Sequence, residues 1–149
     1  MADDSLLPDA VPGNDAPRRR GAVAVVLRRD RFLVIRRSAH VVAPGALCFP
    51  GGAIEPGENE EQALVREFQE ELGRAVRPVR RVWQSTTPWR IELAWWLAEL
   101  PEHAEPQANP AEVESVHWLT REEMLAHAQL LESNRQFLAA LAAGQIVLD

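Results

Sequence analysis

From Gly21 the chain opens with two apolar runs, Ala22-Val23-Ala24-Val25-Val26-Leu27 and Phe32-Leu33-Val34-Ile35. Neither alternates with polar residues, which is the pattern of strands buried on both faces. The polar interval Arg28-Arg29-Asp30-Arg31 predicts a hairpin between them. A loop through Ala43-Pro44-Gly45 leads to Phe49-Pro50-Gly51-Gly52, where paired glycines let backbone approach a ligand closely. At Asn59 the period changes from strand-like to helical. Asn59 and Gln62 have the spacing of a capping box, and Gly73 stops the helix expected over residues 59–72. Leu64, Val65, Phe68 and Leu72 share an arc of about 100°, the core face. Glu67, Glu70 and Glu71 share another arc of about 100°, centred about 120° away, so three carboxylates are expected on one flank.

Strands are then expected over residues 76–86 and 90–98, the second sending Trp95 and Trp96 to opposite faces. A strand with Trp118 follows over residues 113–119. Thr120 and Glu123 repeat the capping-box spacing for a short helix, and Ser133 or Asn134 is expected to begin a last helix carrying Phe137, Leu138 and Leu141. Strands, helix, strands and two helices, without a regular βαβ repeat, predict an α+β fold with helices packed on the faces of a mixed sheet.

At 149 residues with 46% hydrophobic content, the chain has the size and composition of one globular domain. Residues 1–20, rich in Asp and Pro, read as a disordered tail, and residues 21–149 as the domain. The acidic start is unlike a secretory leader, and the lone Cys48 suits a reducing cytoplasm, the expected compartment. The net charge of −6 supplies no basic field, so neither a nucleic-acid polymer nor a membrane is an expected partner. The protein is expected as a monomer or homodimer.

The distribution of charge is more informative than its total. All 16 cations are arginine, and residues 18–37 hold eight of them against one aspartate. Residues 55–71 hold seven glutamates against Arg66, which equals the charge of the whole chain. A second acidic stretch, with seven glutamates against Arg121, runs over residues 99–123. Like charges at i, i+3 and i+4 repel, so the glutamate flank of the helix costs stability unless a cation compensates. A hard divalent cation suits carboxylates, and Mg²⁺ commonly shares its coordination with substrate phosphates.

From Gly52 to Arg74 the chain reads Gly-x5-Glu-x7-Arg-Glu-Phe-x-Glu-Glu-x-Gly-Arg, with Gly52, Glu58, Arg66, Glu67, Phe68, Glu70, Glu71 and Gly73 at the fixed positions. This resembles the Nudix box of the MutT-type hydrolases. One position departs, Arg74, where the family prefers an aliphatic residue that helps pack the following strand. The resemblance implies a Nudix fold, a mixed β-sheet sandwiched between α-helices. It implies hydrolysis of a nucleoside diphosphate linked to another group. Glu67, Glu70 and Glu71 would then ligate Mg²⁺ (or Mn²⁺), with the Gly51 carbonyl as a further ligand, while Glu58 and Arg66 brace the box. Bound metal would polarise phosphoryl oxygens and activate water for attack on phosphorus. Family members take the general base from inside or outside the box, which leaves Glu67 and Glu112 as candidates. Many relatives place a metal-binding acid where Glu112 stands, and Glu114 is the alternative because it shares the same strand face.

The substrate class is left open among several nucleotides. Tyrosine, expected after the box in dinucleoside-polyphosphate hydrolases, is absent from the chain. The coenzyme A motif is matched by Arg36, Gly45 and residues 49–52, but its second arginine falls on Val41. Pro88 stands near the position of a proline found in ADP-ribose hydrolases. Asn134 resembles an asparagine by which MutT proteins read a purine edge, a task suited to a bidentate amide. The simpler reading of Asn134 is a helix N-cap. A nucleoside triphosphate is the leading expectation, with Asn134 and Arg36 as candidate substrate contacts. ADP-ribose, nucleotide sugars and coenzyme A are alternatives, and so is a module that binds a nucleotide without hydrolysing it.

Overall fold

The computed structural model describes residues 19–149. The expected tail lies outside these residues except for its last two, Arg19 and Arg20, which already belong to strand β1 (Arg19–Val25). Two four-stranded sheets form the centre. In the first, the order is β5 (Gly51–Ala53), β1, β7 (Ile91–Glu99) and β6 (Arg77–Thr86). Strands β1 and β7 run parallel, from Arg19↔Ile91 to Val25↔Leu97, and the other pairs are antiparallel. The second sheet is antiparallel, with β3 (Arg31–Arg37) pairing β2 (Leu27–Arg28), β4 (Leu47–Cys48) and β8 (Val113–Leu119).

The hairpin expected between the first two apolar runs exists only in part. Leu27↔Phe32 and Arg28↔Arg31 pair as the turn sequence requires, but the first run divides at Val26. Residues before Val26 pair with β7 and β5, whereas the Val26 carbonyl accepts a 2.9 Å bond from the Leu33 N–H. One uninterrupted apolar run therefore feeds two sheets, a change of partner that hydrophobicity alone does not register.

Both faces of the strands are covered, as their lack of polar alternation predicted. Ala22, Ala24, Val26, Leu33 and Ile35 pack with Leu64, Phe68 and Leu72 of helix α1 (Glu60–Leu72). The intervening Val23, Val25, Phe32 and Val34 pack on the opposite side with Met124 of α2 (Arg121–Leu125) and with Phe137 and Leu138 of α3 (Glu132–Ala142). The result is a mixed-sheet α+β sandwich. Trp95 lies in the α3-side core, stacked on Phe137 at 4.9 Å between ring centroids. Trp96 turns to the α1 side and donates its Nε1–H to Glu60 Oε1 at 2.8 Å. Among the described residues, no helix is long and apolar enough to cross a membrane.

The ends of α1 match its sequence signals. The Asn59 side chain accepts from the Gln62 N–H at 2.8 Å, and the Gln62 side chain accepts from the Asn59 N–H at 2.9 Å. Gly73 closes the helix with φ +64°, its N–H bonded to the Gln69 carbonyl. The family's aliphatic position, Arg74, lies toward the surface, and Val76 enters the α1-side core instead. A Cβ on Gly73 would meet only ordinary contacts, the nearest at 3.8 Å, so the cost of substitution is conformational. Gly73→Ala is expected to destabilise the fold by about 1–2 kcal/mol, read as a lower denaturant midpoint at unchanged slope. An unchanged midpoint would mean that the αL cap contributes nothing.

Candidate metal centre

Helix α1 presents Glu67 and Glu71 to the interior, where they are 0% and 1% exposed. One turn apart, they stand about 40° from each other around the helix axis. A third carboxylate, Glu112, comes from the chain just before β8. Oxygens of Glu67, Glu71 and Glu112 lie within 4.8 Å of one another. Glu114, the other acid of this stretch, is exposed and outside this group. Glu70 is not brought in either. It lies about 100° from Glu71 around the axis, its side chain is 42% exposed, and it takes a 3.3 Å bond from Arg66. The expected convergence of three helix carboxylates is thus two from the helix and one from a distant loop.

Two glycines make the space. Strand β5 is pressed against β1, and a Cβ on Gly51 would lie 2.3 Å from the Ala22 carbonyl oxygen. A Cβ on Gly52 would lie 2.4 Å from the carboxyl carbon of Glu67, so a side chain there would occupy the place of that carboxylate. The Gly51 N–H donates to Glu71 Oε1 at 3.1 Å.

Arg66 ties the box together. Its Nε and Nη2 reach the two Glu58 oxygens at 2.6 and 2.9 Å, a bidentate pair. Nη1 donates to Glu67 Oε1 at 2.9 Å, and Nη2 also donates to the Ala53 carbonyl at 3.0 Å. The guanidinium holds the Glu58 carboxyl below the usual carboxylate range, assisted by a backbone bond at Glu55 and opposed by burial. The same contacts, Glu58 first, push the Arg66 value upward.

Beside the carboxylates, and sharing Gly51 with them, is a cavity walled by Val23, Phe49, Leu93 and Trp95. Its polar lining comes from Arg37, Thr87, Ser133 and Asn134. The N-cap expected at Ser133 or Asn134 is not there: α3 begins at Glu132 behind Leu131, which makes no side-chain cap. Asn134 is instead in the first turn, 2% exposed, and its Nδ2 lacks a hydrogen-bond partner. The other expected contact, Arg36, is turned away. Its guanidinium binds the Gly45 carbonyl and Gln129 Oε1, both at 2.8 Å.

The arginine lining the cavity is Arg37, 3% exposed, with Nε bonded to the Val42 carbonyl at 2.6 Å. Strict alternation groups Arg37 with Leu33 and Ile35 on the α1 side. The register against β8 shifts between Arg36 and Arg37, with Glu114 of β8 as the extra, unpaired residue, and Arg37, the last residue of β3, faces the cavity. A buried cation at the end of an apolar strand was the available signal.

The family model of the NUDIX domain matches residues 17–141. The chain belongs to the Nudix family. Among Nudix relatives, it is 35% identical over 104 residues to the NAD-capped RNA hydrolase NudC of Chromobacterium violaceum, covering 68% of this chain and 38% of that protein. It thus spans well under half of that relative's length. It is 47% identical over 53 residues to the 8-oxo-dGTP diphosphatase of Escherichia coli, covering 35% of this chain and 41% of the other. The solution structure of the E. coli ORF135 protein superposes with a TM-score of 0.69 at 30% identity, covering 89% of this chain and 94% of that one.

The Glu58–Arg66 pair has a definite pH signature. Because Glu58 is lowered in the folded state, its contribution is complete above the unfolded carboxyl value of about 4.3 and fades as pH falls through the folded value. Glu58→Gln is therefore expected to lower the melting temperature most at neutral pH, with the gap to the unsubstituted protein closing toward pH 3. A gap of constant size in melts across that range would contradict the assignment.

Proposed function

We propose that the protein is an Mg²⁺-dependent pyrophosphohydrolase acting on a nucleoside diphosphate linked to another group, with nucleoside triphosphates as its leading substrate class. The supporting observation is the carboxylate cluster of Glu67, Glu71 and Glu112, adjoining at Gly51 a cavity with aromatic walls. Buried carboxylates so close together repel strongly unless protonated or neutralised by a cation. An all-oxygen donor set suits Mg²⁺ or Mn²⁺. Glu67, Glu71 and Glu112 are the proposed ligands, with the Gly51 carbonyl beside them and Glu70 at the rim. Bound metal would supply charge neutralisation at phosphoryl oxygens and a more acidic water.

The protein's own groups set the geometry. Arg66 fixes Glu67 through a charge-assisted bond and anchors the loop before α1 through Glu58 and Ala53. Glu67 and Glu112 are the two candidates to accept the proton of the attacking water. The aromatic walls of the cavity suit the faces of a base, and the Asn134 amide suits its hydrogen-bonding edge. The match to a diphosphatase of 8-oxo-dGTP supports a triphosphate. The longer match to NAD-capped RNA hydrolases makes an NAD-containing diphosphate the second reading.

Glu71→Gln is expected to reduce Mg²⁺-dependent release of phosphate or pyrophosphate by on the order of a hundredfold or more, with the fold intact by circular dichroism. Equal rates in both proteins would remove Glu71 from the ligand set, and no turnover by either would leave a nucleotide-binding module. A panel of nucleoside triphosphates, ADP-ribose, nucleotide sugars, coenzyme A, NAD and NAD-capped RNA, compared by kcat/KM, assigns the substrate. Asn134→Ala is expected to flatten discrimination between bases by about tenfold while sparing the rate on the poorest one. Unchanged base preference would exclude Asn134 as the reader.

A further inference from the structure

Glu112 is carried by the connection between β7 and β8, residues 100–112, and this connection is fastened to the helix that carries Glu67 and Glu71. The last carbonyls of a helix have no partner within it. In α1 they are taken by the connection: the Gln107 N–H donates to Leu72 O at 2.8 Å, and the Asn109 N–H to Glu71 O at 2.9 Å. Asn109 Nδ2 adds a bond to Glu70 O at 3.1 Å. On its other side, Asn109 closes the turn that delivers the third carboxylate. Its carbonyl accepts the N–H groups of Glu112 at 2.9 Å and Val113 at 2.8 Å, and its Oδ1 accepts the Ala111 N–H at 3.2 Å.

Asn109 is thus bonded at once to the end of α1 and to the turn before β8. The two tasks need a donor and an acceptor on one short side chain, which an amide has and a carboxylate lacks. A carboxylate there would also place negative charge at the negative end of the helix. The far side of the connection is held separately, by Arg28, whose Nη2 donates to Pro101 O at 2.8 Å and Ala104 O at 2.7 Å. The Arg28 guanidinium stacks on Trp118, 4.6 Å from the ring centroid. The clamp at Arg28 fixes the loop's path, and Asn109 fixes its register against the helix.

We infer that Asn109 is a positioning residue that sets Glu112 against Glu67 and Glu71 and so determines the affinity of the site for a divalent cation. The inference rests on the proposed ligand set, and its test is built to fail separately from it. Pro110 restricts the Asn109 backbone to extended conformations whatever its side chain, so the turn survives truncation.

Mn²⁺ binding to the full chain, followed by the electron paramagnetic resonance signal of free Mn²⁺, is compared among the unsubstituted protein, Asn109→Ala, Asn109→Ser, Glu112→Gln and the Asn109→Ala/Glu112→Gln pair. Asn109→Ala is expected to raise the Kd by about tenfold. In the Glu112→Gln background the same change is expected to alter it by less than about twofold, because no third carboxylate is left to position. Asn109→Ser keeps an acceptor for the Ala111 N–H and loses reach to Glu70 O, so it is expected to fall between the two. It also serves as the measurement should Asn109→Ala fail to fold. An unchanged Kd in Asn109→Ala and Asn109→Ser, or an effect that persists in full without Glu112, would show that Asn109 only caps the helix and would overturn the inference. An unchanged Kd in Glu112→Gln would remove Glu112 from the ligand set and overturn both readings together.

Discussion

Repulsion among two buried carboxylates and a third, half-buried one is the constraint on which the site depends. Glu67, Glu71 and Glu112 lie within 4.8 Å of one another, at a separation where a low-dielectric interior magnifies the interaction between charges. Clustered carboxylates of this kind oppose folding unless they are protonated or neutralised. The surroundings show how the fold holds it: Arg66 grips Glu67, the Gly51 N–H grips Glu71, and the residue 100–112 connection is stitched to the end of α1. Each device immobilises a carboxylate.

The precision needed for this comes from a rigid centre. Helix α1 is fixed at both ends, by a capping box and by an αL glycine, and is pressed by Leu64, Phe68 and Leu72 onto a floor of small residues, Ala22 and Ala24. Small floor residues let the helix approach, and the approach brings Glu67 under Gly52. The opposite face of the same strands is packed with larger groups, including Phe49, Trp95 and Phe137, and the cavity opens there. One strand pair therefore serves a close-packed helix on one side and an aromatic-walled recess on the other, and Gly51 belongs to both.

Local chemistry was the legible part of the sequence. Helix α1, both capping boxes, β8 and the opposite orientations of Trp95 and Trp96 follow from spacing alone, because each depends on residues a few positions apart. The pair Glu67 and Glu71 was equally visible. What escaped depends on partners far away in the chain or on irregular backbone. The switch of sheets at Val26, the bulge in β8 at Glu114 and the start of α3 ahead of Asn134 leave no period to read. Helix arithmetic put Glu70 with its neighbours, since a wheel records angle but not the direction from which a third carboxylate arrives. Glu112 and Glu114 were indistinguishable by alternation, and what separates them is irregular backbone: Glu114 is the extra residue of a bulge in β8, and Glu112 sits in the turn closed by Asn109.

The parallel pairing of β1 with β7 has a consequence for how the chain reaches this state. Ala22 and Ala94 are partners roughly seventy residues apart, a long-range contact of the kind that slows folding. Until β7 arrives, β1 is an apolar, valine-rich segment with an open edge, the type of sequence that associates with copies of itself. In the sequence, its apolar residues are preceded by Arg18, Arg19 and Arg20 and followed by Arg28 and Arg29. Charges at the borders of an exposed apolar strand disfavour its self-association. The arginine block thus borders a segment whose apolar residues the finished fold buries.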